Sequence, residues 1–495
     1  SSHFGSHTTC NYLPLSPVRA VPTGPTRRAA MAPADTGGSS SANGEKLQAP
    51  SRVIIYAHSW LPAQLDGVAV RMMAHVTELV ERGSEVWVVT PDFVDPERPD
   101  TGPKKLHKIE GIKEHITLAS AWTPVYRKNM CMAFTIRNFL DILALLRRVR
   151  PDYVHGTVEA SMQFFSLACL LCDVPLICSM HTDITQIANR DAGFSWLGAG
   201  HVGRLHARAA VFFANWGYRN WAHCGAHYLA VSNHAKACLR DAGVNPRKVA
   251  PDIWGPMVDR HIFCLDLPKD KVAAAREDLS FGLKDAYVMS YVGRVTAEKD
   301  IQFLVDGLRR AVRAAEEGQN GGRKPVLVLI GPGSLVPELK KLHGKEHRIH
   351  CTGEFWGREE VAIKLQASDC CVSASVMETV GFTAMEALSC GTPCLMARAQ
   401  GFAEHLSHDA NARLWTPYDE ESFDKELAVL MATKPEGTWS PEALRESMAA
   451  ASVPHCTDRA LRAYLFTGLP DKKLLRILFG VFITLLNWFV SLFVK

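Results

Sequence analysis

Met377-Glu378-Thr379-Val380-Gly381-Phe382-Thr383-Ala384-Met385-Glu386-Ala387-Leu388-Ser389-Cys390-Gly391-Thr392-Pro393 is the stretch from which the rest of the chain can be read. Two carboxylates stand eight residues apart, with a glycine between them and a helix-compatible run after it. Gly381 can take backbone angles closed to other residues, so the chain can swing its amides toward a ligand before a helix begins at Phe382. Free amides and the positive end of that helix favour a phosphate. In one unbroken helix the two acids would lie about 80° apart around the axis. A loop-to-helix break instead lets them meet one ligand from two directions, with Glu378 on the loop and Glu386 in the first helical turn. A plainer reading stands beside this one: Thr383-x-x-Glu386 also spells a capping box, in which the glutamate only closes the helix start.

Outward from this stretch, short apolar strands alternate with helices in two blocks. Val53–Tyr56, Val86–Val89, Asp152–His155, Pro175–Cys178 and Tyr228–Val231 read as strands, and Val68–Arg82 reads as a helix with Val68, Met72, Val76 and Leu79 on one side. After a polar stretch around Asp266–Lys284 the alternation restarts with Tyr287–Val292, Val326–Ile330, Ile349–Thr352 and Cys370–Ser373. Such alternation predicts an α/β fold of two doubly wound parallel sheets facing each other across a cleft. The expected units are 51–270 and 285–435, followed by a helical segment over 436–471.

Ligands of parallel sheets sit beyond the carboxyl ends of the strands. There the sequence places Asp66-Gly67, His181-Thr182-Asp183, Gly293-Arg294 and Glu298-Lys299. A phosphate held there brings negative charge, which a metal or fixed donors must stabilise. The chain contains no Asp-x-Asp. Two cations reaching one point, Arg294 and Lys299, together with the amides near Gly381, would serve in place of a metal. A solvated face is the ordinary reading of such a pair, and a satisfied structural residue that of a single histidine, but each of these follows a strand directly.

The 377–393 stretch resembles the carboxylate-pair motif of the retaining, family-4 type glycosyltransferases of GT-B fold, matching it at Glu378, Gly381, Phe382, Glu386, Ala387, Gly391 and Pro393. The resemblance implies a nucleotide-sugar donor held by Gly67, Gly293, Arg294, Lys299, Glu378, Thr379, Val380, Gly381, Phe382 and Glu386. It implies catalytic roles for His181, Arg294, Lys299 and Glu378, no metal and no cofactor, and same-face attack with retention. Within the family the chain is most similar to the plant and cyanobacterial sulfolipid synthases, on Phe194-Ser195-Trp196-Leu197, on Trp254 ahead of Val258-Asp259, and on its leader. That group moves sulfoquinovose from UDP to diacylglycerol. The chain departs from the pattern at Asp66, where a glycine is usual, at His181-Thr182-Asp183, which lacks a second histidine, and at Gly255–Asp259.

Composition bounds the rest. With 495 residues, 47% of them hydrophobic, the chain can bury two cores, and a net charge of +4 points to no nucleic-acid partner. The 14 cysteines are scattered, and Cys169-x-x-Cys172 lies in an apolar helical run with no second pair at ligand spacing, as in a reducing compartment. No Gly-x-Gly-x-x-Gly follows a strand, which speaks against a nicotinamide oxidoreductase. Residues 1–34 lack acids and carry Arg19, Arg27 and Arg28, so 1–50 reads as a disordered leader with a transit-peptide composition and a plastid address, the chloroplast envelope.

At the other end, Ile477–Val494 is free of charge and spans about 27 Å as a helix, barely a bilayer core. Gly480, Thr484, Asn487 and Ser491 form a stripe along it. Three readings of 474–494 stay open: a membrane span packed on another helix, a helix in the interface plane, and a tail docked on the protein. Lys472, Lys473 and Arg476 before the tail would keep the catalytic bulk on the stromal or cytosolic side. Phe194–Trp221 interleaves aromatic residues with Arg204, Arg208 and Arg219, a mixture suited to a lipid headgroup interface. Membrane association and a lipid acceptor are therefore expected, with another lipid- or glycan-directed transferase and a non-catalytic scaffold of the same fold as rivals.

Overall fold

Every strand of the two main sheets runs parallel to its neighbours, and the order of those strands sets where ligand-binding loops collect. The computed structural model describes residues 47–64, 66–94, 105–122, 131–132, 135–190, 200–318, 322–354, 357–471 and 473–492. Most of the expected leader, the Phe194–Leu197 segment and Lys472 lie outside the described residues.

The first lobe begins with β1 (Arg52–Tyr56), α1 (Gly67–Glu81), β2 (Glu85–Pro91), β3 (Glu114–Leu118) and a small antiparallel ribbon, β4 (Ala121–Trp122) with β5 (Cys131–Met132). It continues with α2 (Ile136–Val149), β6 (Tyr153–Thr157), α3 (Met162–Cys172), β7 (Leu176–Met180), α4 (Ile184–Arg190), α5 (His201–His223), β8 (His227–Ala230) and α6 (Asn233–Asp241). The sheet order is β3-β2-β1-β6-β7-β8. Val53 pairs with Val86 on one side and Tyr153 on the other.

The second lobe holds α7 (Lys269–Leu279), β9 (Ala286–Val292), α8 (Ile301–Glu316), β10 (Lys324–Ile330), α9 (Val336–Leu339) and β11 (Ile349–Cys351). Then come α10 (Arg358–Gln366), β12 (Cys370–Ser373), α11 (Phe382–Ser389), β13 (Cys394–Ala397), α12 (Gln400–His405), β14 (Ala412–Trp415) and α13 (Glu420–Ala432). Its order, β11-β10-β9-β12-β13-β14, repeats the first. Each sheet reverses its direction of growth once, at β1/β6 and at β9/β12, and these switch points are where loops part to admit a ligand.

The apolar runs read from the sequence are the cores. Val53, Ile54, Ile55 and Tyr56 are fully buried against Val68, Met72, Val76 and Leu79 of α1. Leu304, Leu308 and Ala311 of α8 cover β9 and β10 in the same way. Three strands of the two main sheets went unread. Glu114–Leu118 is half-polar because β3 lies at a sheet edge. β13 and β14 are only four residues each.

The C-terminal elements, α14 (Pro441–Glu446), α15 (Val453–Phe466) and α16 (Leu474–Leu492), divide between the lobes. Leu444 of α14 stays in the second core, whereas Cys456, Ala460, Leu461 and Tyr464 of α15 belong to the first. The reason lies in α1. Arg71, His75 and Glu78 form a polar stripe beside its apolar one, and all three are buried. Tyr464 meets that stripe: its hydroxyl lies 2.9 Å from His75 Nε2 and 2.9 Å from His155 Nδ1. Burial holds both imidazoles below the usual histidine range, His155 at about 3, so the three groups form a neutral network. At the rim, Arg82 bonds Asp458 at 2.5 Å and the Pro454 carbonyl at 3.0 Å.

α16 lies along α3 rather than apart from the protein. Gly480 lets the helices approach, its Cβ position lying 3.1 Å from Leu167 and 3.3 Å from Cys224. Ile483 and Thr484 are buried, and Gln163 Nε2 donates to Thr484 Oγ1 at 3.4 Å. Gly480 and Thr484 of the stripe therefore face this protein's own helix, and no described helix is long and apolar enough to cross a membrane.

Replacing Tyr464 by Phe removes one hydroxyl from a buried network and leaves two imidazole nitrogens unpaired, a loss of about 1–3 kcal/mol. Urea unfolding of Tyr464→Phe should show a correspondingly lower midpoint; an unchanged midpoint would contradict the anchoring of α15.

Candidate functional site

The loop after β12 carries the site's central turn. Gly381 has φ 80° and ψ 52°, in the left-handed region, and starts α11. A side chain there would be strained and would collide with the Phe402 ring. Upstream, the 378–380 backbone is braced by α12, whose Gly401 N–H donates to the Glu378 carbonyl at 2.8 Å. Downstream, Thr383 donates to the Val292 carbonyl at 3.1 Å, tying α11 to the end of β9. The capping box is not formed, because Gly381 stands at the cap position with no side-chain bond. Glu386 is the fifth residue of α11, just past the first turn where it was expected.

The two acids face different cations. Glu378 pairs with Lys299, whose ammonium also lies 3.5 Å from Ser375 Oγ. Glu386 lies 3.5 Å from Arg358 at the start of α10. Burial raises the Glu386 carboxyl to about 7, against the opposing pull of the Arg358 guanidinium. Near neutrality it is poised between charged and neutral forms.

Arg294 and Lys299 pair with different acids. Arg294 is half exposed and bonds Glu298 at 3.1 Å, while Lys299 takes Glu378. They remain neighbours around Tyr291, whose hydroxyl donates to the Arg294 carbonyl at 2.8 Å. The Tyr291 phenol is raised well above its usual value by burial, then by Glu378, with Arg294 opposing and Glu298 adding. The local charges are therefore two cations against two carboxylates. Gly293, with φ 149°, lets its amide bond the Ile330 carbonyl at 2.9 Å while the chain leaves the sheet.

From the first lobe, His181 follows β7 and lies 2.8 Å from Ser179 Oγ, with its ring 5.8 Å from Trp254. Burial, and then the charges of Arg71 and His58, hold it well below the ordinary histidine pKa. It is a neutral hydrogen-bonding group and not a cation. Asp66 has a structural role: it caps α1 through the Ala69 amide at 2.8 Å and accepts from Ser59 Oγ at 2.7 Å. The α1 terminus is thus partly satisfied without a ligand. Gly67 abuts the second lobe, its Cβ position lying 2.8 Å from the Phe382 ring. Phe382 is in turn covered by the Arg71 guanidinium, 5.0 Å from its centroid. Val380 is buried and Thr379 partly exposed.

Several participants escaped the sequence reading. Arg71 is fully buried on α1, donating to the Gly255 carbonyl at 2.6 Å, and burial lowers its pKa to about 10. Glu404 of α12 accepts from the Asn233 amide at 2.8 Å and its side chain at 2.9 Å, closing the seam between lobes. Only the Arg71-His75-Glu78 spacing carried a readable signal, a polar stripe at helical period. Among the described residues, metal-ligand chemistry gathers at Asp183, His234 and Cys238 on the first lobe. A hollow of about 520 Å³ lined by Leu265, Val272, Arg276 and Asp369 contains none of the site residues.

Twin parallel sheets with a glycine-turned carboxylate pair define a two-lobed transferase of GT-B fold, a hexosyltransferase by class. Residues 65–251 match the model of Glycosyltransferase Family 4 and residues 286–433 that of Glycosyl transferases group 1. The chain belongs to this glycosyltransferase family. A sulfoquinovosyl transferase of Arabidopsis thaliana is 25% identical, over 78% of this chain and 68% of its own length. An uncharacterized glycosyltransferase of Methanocaldococcus jannaschii is 30% identical, over 75% of this chain and 87% of its own. Among solved structures, Anabaena HepE in complex with UDP and glucose shares the fold at TM-score 0.60 and 15% identity, over 83% of this chain and 99% of that one.

If the Glu386 carboxylate accepts hydroxyls of a nucleotide, only its ionised form binds well. Above pH 7 the group is already charged; below it, binding must first remove a proton. Affinity for a UDP-hexose, measured by calorimetry, should therefore fall by up to about tenfold per pH unit below 7. Glu386→Gln should bind weakly at all pH values without this slope. A wild-type affinity flat from pH 5.5 to 8 would rule the role out.

Proposed function

We propose that the protein transfers a hexose, with retention, from a UDP-sugar to a membrane lipid, sulfoquinovose to diacylglycerol being the pair best supported. The observation that carries the transfer is the Gly381 turn, which sets Glu378 on Lys299 and opens the α11 amides beside them. As the sugar–phosphate bond breaks, Lys299, Arg294 and those amides take up the charge on the departing diphosphate, so the step needs no metal. Glu386 holds the nucleotide. His181, kept neutral, hydrogen-bonds the sugar, and the acceptor hydroxyl attacks from the face the phosphate leaves, its proton passing to an oxygen of the departing phosphate as the glycosidic bond forms.

The choice of acceptor rests on the likeness to the plant sulfoquinovosyl transferase and on an apolar surface of the first lobe. While one face of α16 is docked, Leu474, Leu475, Leu478, Val481, Phe482 and Leu485 are exposed on the other. Around the end of α5 the two helices meet, His223 against Phe479 with ring centroids 4.9 Å apart. α5 adds exposed Val202, Leu205, Phe212 and Phe213 among exposed Arg204, Arg208 and Arg219. Tyr218 and Trp221 of the same helix are core residues, so only part of the aromatic run serves this surface. Apolar side chains flanked by arginines suit the boundary between acyl chains and headgroups. α16 would lie in that plane, with the protein on the chloroplast envelope and its catalytic lobes on the stromal or cytosolic side. A different lipid- or glycan-linked acceptor is the second reading, favoured by Asp66 and the lone His181.

Incubation with labelled UDP-sulfoquinovose and diacylglycerol vesicles should yield a labelled glycolipid. Labelled product only with another sugar or acceptor from a panel of UDP- and GDP-sugars would establish the second reading, and no product with any would overturn both. Changing Leu475, Leu478 and Phe482 together to Ser should abolish co-sedimentation with anionic vesicles while UDP-sugar binding in solution persists. Equal sedimentation would remove α16 from the membrane.

A further inference from the structure

Apart from the Lys299–Glu378 pair, the first lobe gathers a second set of chemistry-bearing side chains. Asp183 leaves the end of β7, and His234 and Cys238 stand one turn apart on α6. His234 Nε2 lies 2.9 Å from Asp183 Oδ2 and 3.7 Å from Cys238 Sγ, and the three donor atoms lie within 4.8 Å of one another. All three residues are partly buried.

In a tetrahedral zinc site with Zn–N near 2.0 Å and Zn–S near 2.3 Å, a nitrogen and a sulfur stand about 3.5 Å apart, and a nitrogen and an oxygen about 3.4 Å. The His234–Cys238 edge is already at that spacing. The Asp183–His234 edge has to open by about half an ångström, as expected when a hydrogen bond gives way to an ion between the same atoms. The carboxylate is oriented for this: its Oδ1 accepts the Gln186 amide at 3.0 Å, leaving Oδ2 turned toward His234. An ion pair alone would need only Asp183 and His234. The thiol at the next turn, facing the same nitrogen, is the addition that gives the cluster its ligand character.

We propose that Asp183, His234 and Cys238 bind a divalent ion of the zinc class, with a fourth position left to solvent. One nitrogen, one sulfur and one oxygen suit a borderline-soft ion and disfavour magnesium or calcium, which require several oxygens. The His234 side chain is 27% exposed, so the ion has a route from solvent. Bound there, it would join the β7–α4 loop, two residues beyond His181, to α6, whose first residue Asn233 is held by Glu404 of the second lobe. The ion would stiffen the first-lobe wall of the cleft and take no part in the transfer. The inference stands on these three side chains whatever the sugar or the acceptor.

Cobalt(II) titration of the full chain, followed by absorption, tests it. One equivalent should give intense visible d–d bands and a thiolate-to-cobalt charge-transfer band, and Zn²⁺ should displace both. Cys238→Ser should lose the charge-transfer band, and His234→Gln should weaken binding by more than about tenfold, since even the loss of an outer-shell partner costs that much. Unchanged thermal unfolding of Cys238→Ser confirms that the loss is local; should His234→Gln not fold, Asp183→Asn supplies the second comparison. Absence of the bands, or bands undiminished in Cys238→Ser, overturns the proposal.

Discussion

A single left-handed residue, Gly381, organises the interior of the second lobe. Any side chain there would be strained and would strike Phe402. Because the chain reverses at this point, Glu378 turns back to Lys299, Glu386 continues down α11 to Arg358, and Phe382 is thrown forward against the first lobe. The three directions come from one backbone angle. Glycine loses more conformational freedom on folding than any other residue, so the position is held by its surroundings: the Gly401 amide on the Glu378 carbonyl and the Thr383 hydroxyl on the Val292 carbonyl.

The charges around this turn are matched in the free protein, and that balance bears on the chemistry. Lys299 is paired with Glu378 and Arg294 with Glu298, so each cation already has a carboxylate partner. Glu386 differs, since burial leaves it near its midpoint at neutral pH, so its charge responds to what binds. On the opposite wall His181 is kept neutral by burial and by nearby positive charge. The second lobe thus presents its two cation–carboxylate pairs, and the first sets a neutral His181 at the end of β7.

Much of this was legible in the sequence, for identifiable reasons. Parallel strands are buried on both faces, so β1, β6, β7, β9 and β10 stood out as apolar runs, and residues beyond β1, β7, β9 and β12 became the candidate site. β3, a half-polar strand at a sheet edge, lacks that signature and was missed. Contacts made through tertiary packing left little trace: α15 crosses to the first lobe because Tyr464 satisfies two buried histidines far away in sequence. The stripe of Gly480 and Thr484 was visible, but a small-residue face does not say which helix it meets, and α3 proved to be its partner. Arg294 was placed correctly after β9, yet Glu298 four residues on is as close a partner as any ligand, and only geometry separates the two.

The account is tested most directly by a diffraction structure of the full chain with a UDP-hexose. The expected density sets the diphosphate between Lys299, Arg294 and the amides that follow Gly381, with Glu386 bonded to nucleotide hydroxyls and the sugar turned toward His181. A nucleotide bound elsewhere, with the Lys299–Glu378 pair and Glu386 untouched, would contradict it.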